Sequence, residues 1–276
     1  MIAPPPFVCL DNRTPPTFGR RVSWSHDVGE TTVNQASGWS DVAAEWSALW
    51  GSVAEPVWRE IVVAASIHPG SRVLDVGCGG GELLAFLAAM GADAHGIDPA
   101  DDMRALAAAR GLAVTPGEAE SIPHPDDSFD LVTAINALQF AEDTLDALDE
   151  MRRVTRPGGY VAIANWAERE RNQLDVLERA IDDEEPAPDG ELRLEGGLEA
   201  LLAEAGFAVT SSGVTEVPWH VRDDDELVRG VMLGEDSAVM AARSRAIIAA
   251  ARPFRDAAGS YTVVNAFRWA VARVSE

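Results

Sequence analysis

The chain has 276 residues, 47% of them hydrophobic, and a formal net charge of −23 from 45 acidic and 22 basic side chains. That length and apolar content fit one α/β domain with extra segments and rule out wholesale disorder, while the charge argues against nucleic acid or an anionic membrane as partner. Every basic residue is arginine, which excludes Schiff-base catalysis, a pyridoxal-phosphate anchor and a phosphate-loop lysine.

Residues 1–38 are proline-rich and polar, and read as an arm. The first ten carry a proline run and no basic region, which makes a poor secretory signal. Two cysteines, Cys9 and Cys78, cannot build a disulfide framework, so a reduced, cytoplasmic protein is expected. No stretch approaches the roughly 18 apolar residues of a membrane helix.

Helical periodicity begins after Ser40, the expected N-cap, and puts Trp46 and Trp50 one turn apart on a shared face. A helix over 52–66 leads into the turn His68-Pro69-Gly70. Strand and helix then alternate: strand 72–77, helix 81–90, strand 92–97, helix 101–109 and strand 112–115, followed by strand 129–135, helix 142–154 and strand 159–164. Such alternation calls for a parallel sheet covered on both faces. A polar helix over 168–183, an acidic loop to 189, a helix over 197–205 and a strand-like run over 207–217 come next. Residues 223–255 read as two helices broken near Gly234, and 261–274 as a closing β segment. The expected organisation is therefore an arm and cap helix (1–50), a core (51–216), a helical lid insertion (217–258) and a last strand completing the sheet (259–276).

The most informative stretch is Val73-Leu74-Asp75-Val76-Gly77-Cys78-Gly79-Gly80-Gly81, a buried strand breaking into a glycine loop with helix formers from Glu82 onward. Glycines let the backbone turn sharply and let a ligand lie against bare amides, and a helix opening behind them adds free N–H groups. About 20 residues on, the next strand ends in Asp98, where nucleoside-binding folds grasp ribose hydroxyls. The third glycine of the dinucleotide pattern G-x-G-x-x-G is replaced by Glu82, whose charge would repel a pyrophosphate but tolerate a sulfonium. A glycine-rich turn that holds no ligand is the competing reading.

This strand-Asp-x-Gly-x-Gly-x-Gly arrangement resembles motif I of the class I S-adenosylmethionine (SAM) dependent methyltransferases. Pro116-Gly117-Glu118-Ala119-Glu120-Ser121-Ile122-Pro123 followed by Pro125-Asp126-Asp127-Ser128-Phe129-Asp130-Leu131-Val132 resembles a second run of the small-molecule branch, similar to the ubiquinone/menaquinone biosynthesis enzymes. Arg153-Val154-Thr155-Arg156-Pro157-Gly158-Gly159 resembles that branch's turn before strand five. The likeness implies an α/β, Rossmann-like sheet of seven mostly parallel strands and SAM as cofactor. It further implies that Gly77, Gly79 and Gly81 approach the methionine part and Asp75 supports their loop. Asp98 would accept both ribose hydroxyls, Glu118 and the Ala119 amide would meet the adenine, and Asn136 with Gln139 would line the methionine amino end.

Methyl transfer from a sulfonium is a direct displacement that needs alignment and water exclusion, with a general base only for some acceptors. His220 is the candidate base, and Trp46, Trp50, Trp166 and Trp219 are candidate walls of an acceptor pocket. Segments 1–50 and 217–258 are expected to close over the cofactor and form most of that pocket. The histidines lack H-x-x-H or H-E-x-x-H spacing, so no metal site is expected. The leading function is methylation of a small organic acceptor by a monomer or homodimer. A SAM- or nucleoside-binding protein without turnover and a nicotinamide-dependent oxidoreductase remain as alternatives.

Overall fold

A computed structural model of the protein describes residues 35–181 and 188–275. Four short strands build the parallel core of the sheet: β1 (Arg72–Val76), β2 (Asp93–Asp98), β3 (Ala113–Pro116) and β4 (Phe129–Ile135). β5 (Thr155–Trp166) extends it, and β6 (Ala208–Val221) and β7 (Tyr261–Arg273) finish it in the order β3-β2-β1-β4-β5-β7-β6. β7 alone runs against its neighbours, paired with β5 and with β6. The expected seven-stranded, mostly parallel α/β sheet is what forms.

Strand alternation distributes the core. Leu74 and Val76 face one layer with Val132, Val161 and Ile163, covered by helices α5 (Thr144–Val154) and α7 (Gly197–Glu204). Val73, Leu131 and Ala162 face the other layer, covered by α2 (Glu55–Ala64) and α3 (Glu82–Ala89). α4 (Asp101–Ala109) connects β2 to β3. Burial on both faces explains why the central strands β1 and β4 are largely apolar.

A third cluster stands at the end of the β6–β7 hairpin. There Trp219, Val221, Tyr261 and Val263 pack with α1 (Gln35–Leu49), α6 (Leu174–Glu178), α8 (Asp224–Val231) and α9 (Ser237–Ala250). Among the described residues no helix is long and apolar enough to cross a membrane.

Three local expectations differ from the structure. Ser40 lies inside α1 and not at its N-cap, and its hydroxyl accepts the Asp102 N–H at 3.3 Å. The polar helix over 168–183 is reduced to a single 3-10 turn (Arg169–Arg171) and the five residues of α6. The cause is Asn172, whose amide donates to the Ala167 and Glu168 carbonyls and accepts the Ala266 N–H, tying the backbone to β7. The boundary expected at 216/217 falls inside β6, which continues to Val221 paired with Tyr261. The expected arm over residues 1–34 lies outside the described residues.

Candidate functional site

The site begins where β1 ends. Gly77, Gly79 and Gly81 have φ of 72°, 53° and 84°, a region that disfavours side chains. Their surroundings separate their roles. A Cβ on Gly77 would stand 2.7 Å from the Ala137 methyl, and one on Gly81 would stand 2.6 Å from Leu112. A Cβ on Gly79 would meet nothing nearer than the Met103 sulfur at 3.9 Å, and Gly79 lines the cavity. Gly77 and Gly81 thus close the turn, while Gly79 keeps the cavity floor bare.

Asp98 ends β2 beside this loop and is 7% exposed. One carboxylate oxygen accepts the Gly79 N–H at 2.9 Å and the other accepts the Ala100 N–H at 2.8 Å. Burial raises its pKa, and these two N–H groups and the Arg104 guanidinium pull it back. Each oxygen keeps a second acceptor site, so the carboxylate is fixed in place without being used up.

Asp75 is more isolated, at 4% exposure, with the Thr133 hydroxyl donating to it at 2.7 Å. Burial above all, with Asp98 and Glu82 nearby, pushes its pKa up to about 7 against that hydrogen bond. Burial likewise pushes the Cys78 thiol well above its ordinary value, so it stays protonated.

These residues line a cavity of about 1060 Å³ at the carboxyl edge of the sheet. Its walls include Asp75, Gly77, Gly79, Asp98, Glu118, Ala119 and Asn136. Gln139 is absent from the described lining. Its side-chain amide donates to the Asn136 carbonyl and side-chain oxygen at 3.1 and 2.8 Å, bracing a residue whose φ is 53°.

The cavity lining is also aromatic. Trp46, Trp50 and Trp166 are part of it, joined by Trp39, Trp58, Phe140 and Phe267. Trp39 was legible as an aromatic seven residues before Trp46, two turns away on the same helical face. Phe267 had no such signal, because only the β5–β7 register brings it beside Trp166, with ring centroids 4.7 Å apart.

Two candidates fall elsewhere. Trp219 is buried behind Trp50, stacked at 4.1 Å, and its indole N–H donates to the Leu49 carbonyl. It supports a wall without being part of the described lining. His220, next along β6, points the opposite way by strand alternation; it is exposed, 3.2 Å from the Thr262 hydroxyl. It is therefore poorly placed as a base for chemistry in the cavity. The described lining likewise takes residues from α1 but none from 217–258, contrary to the expected lid.

Glu82 has a role that local sequence did not reveal. Its carboxylate accepts the Ser47 hydroxyl at 2.5 Å and an Arg110 N–H at 2.6 Å, and Arg110 also donates to the Gly80 carbonyl at 2.8 Å. The charge taken to repel a pyrophosphate is thus paired, and it fastens α1 to the glycine loop.

Comparison with known proteins bears on this geometry. A methyltransferase domain family matches residues 74–163, from β1 to β5. A demethylmenaquinone methyltransferase of Mycobacterium sp. strain KMS is 31% identical over 176 residues, 59% of this chain and 75% of that protein. An uncharacterized protein of Mycobacterium tuberculosis is 35% identical over 140 residues, which is 45% of this chain. This chain spans about half of that relative, 51% of its length. Among solved structures, the Bacillus subtilis YcgJ protein shares the fold with a TM-score of 0.55 at 20% identity, over 79% of this chain and 98% of that one. A SAM-dependent methyltransferase from Aquifex aeolicus does so with a TM-score of 0.50 at 22% identity, over 81% and 93%. Sheet order, glycine loop, buried acid after β2 and sequence relatives agree: the chain belongs to the class I SAM-dependent methyltransferases.

Proposed function

We propose that the protein transfers the methyl group of SAM to a small organic acceptor. The observation that carries this reading is one cavity lined by the bare Gly79 floor, the fixed Asp98 carboxylate and a set of aromatic rings. Asp98 offers the two free acceptor sites that a ribose diol needs. Gly79 leaves room for the methionine chain, Asp75 and the Asn136 carbonyl face its ammonium end, and Glu118 and Ala119 meet the adenine. A volume of about 1060 Å³ exceeds the upper range of single-ligand pockets, consistent with cofactor and acceptor together.

When bound, SAM supplies a methyl group already activated on a sulfonium. The chain's own contribution is to bind, orient and exclude water. Alignment of the acceptor against the methyl carbon carries the chemistry in this reading. Calorimetry with SAM, S-adenosylhomocysteine and NAD tests it, followed by turnover against a broad acceptor panel. Micromolar binding of the first two, no binding of NAD and product formation are expected. SAM binding without turnover on any acceptor would make the protein a binder, and preference for NAD would overturn the reading.

A further inference from the structure

The electrostatic character of the cavity narrows the acceptor. Its described lining includes eight carboxylates and no arginine, lysine or histidine. Of these acids, Glu82 is matched by Arg110, Glu120 accepts the backbone N–H groups of Glu142 and Asp143, and Asp143 caps α5. In the proposed reading Asp75, Asp98 and Glu118 serve the cofactor, which leaves Glu142 and Asp146, with no cationic partner in the described lining, for the acceptor. The lining also carries aromatic rings, and Trp39 stands edge-on at 5.5 Å to Phe140, two residues before Glu142.

An anionic acceptor would enter this space past the Glu142 and Asp146 carboxylates and would find no N–H⁺ group among the described lining residues to receive it. A positive group meets the opposite situation, since indole and phenyl faces attract cations and the acids raise their local concentration. We propose that the acceptor carries a positively charged amine and no anionic group. The amine serves recognition, whichever atom of the acceptor takes the methyl group. This inference rests on the methyltransferase reading but goes beyond it, because the cofactor half of the site says nothing about acceptor charge.

Three probes with the same ring and different charge provide the test: 2-phenylethylammonium, 2-phenylethanol and phenylacetate. Each is titrated into the full chain saturated with S-adenosylhomocysteine, followed by calorimetry. The ammonium is expected to bind about tenfold or more tightly than the alcohol, and phenylacetate most weakly. Glu142→Gln should narrow the ammonium-to-alcohol ratio, and Trp39→Ala should weaken both while the cofactor product still binds. Equal binding of ammonium and alcohol, tightest binding of phenylacetate, or binding of none of the three overturns the proposal. If S-adenosylhomocysteine itself fails to bind, the methyltransferase reading fails with it; if it binds and charge discrimination is missing, only the acceptor inference falls.

Discussion

Asp75 and Asp98 end neighbouring strands under the same loop, yet their surroundings hold them differently. Asp98 receives two backbone N–H groups and the pull of Arg104 against burial, Asp75 only one hydroxyl. An acid whose pKa rises from 3.8 to about 7 on folding keeps its proton where the unfolded chain has lost it. Its stabilising contribution is therefore full below about pH 4 and disappears as pH rises through about 7. Asp75→Asn retains an acceptor for Thr133 and has nothing to titrate. In cofactor-free protein, the variant should gain on wild type by roughly 2–4 kcal/mol between pH 4 and pH 8, measured by urea unfolding. A stability difference that stays constant with pH would mean Asp75 is ionised throughout. Asp98→Ala should weaken SAM binding by roughly 2–4 kcal/mol, since two charge-assisted hydrogen bonds are lost. Unchanged affinity in a folded variant would remove Asp98 from the cofactor site. Both acids and their places near the ends of β1 and β2 were legible from sequence, because strand ends and glycine turns are local signals. Their different hydrogen-bond partners were not, since those come from Thr133 of β4 and from Ala100 just before α4.

At the scale of elements, the glycine loop separates folding from binding. Gly81→Ala sets a Cβ against Leu112 and Ala107 at 2.6 and 2.9 Å and should cost roughly 1–3 kcal/mol of stability. Gly79→Ala meets open space and only the strain of its left-handed backbone, so it should fold, with thermal unfolding little changed, and lose cofactor affinity in calorimetry. Equal behaviour of the two variants in both assays would contradict the division of roles. Arg110 ties the same loop to α1 through Glu82 and Ser47. Arg110→Ala should therefore speed hydrogen exchange in α1 while leaving β1 amides protected, because the β1 ladder is independent of that link. No change in α1 would show that its tryptophans alone hold it. This link joins residues 63 positions apart and had no sequence signature.

Across the whole molecule, the cavity lies between the sheet edge and α1–α2, while α8 and α9 pack behind Trp50 and Trp219. A lid made equally of both flanking segments is not what this arrangement favours. Adding S-adenosylhomocysteine should slow exchange in α1 and leave α9 unaffected. Protection appearing in α9 and not in α1 would move the mobile cover to the C-terminal helices. α8 is the intermediate case, since the Gly230 carbonyl accepts the Trp50 indole N–H and could relay tightening from one wall.

The sequence by itself determined the strand–loop–helix unit at residues 72–90, the order of the alternating elements and the acid at the end of β2. Each rests on periodicity, glycine backbone freedom or spacing within a few dozen residues. It also carried the family resemblance, because those motifs are contiguous. Tertiary structure alone decided which tryptophans face the cavity, that His220 faces away from it and that Glu82 is paired. Those outcomes depend on the β6–β7 register and on how α1 docks. A shift of one residue in that register would exchange Trp219 and His220 between the two faces, and nothing within either segment fixes that choice.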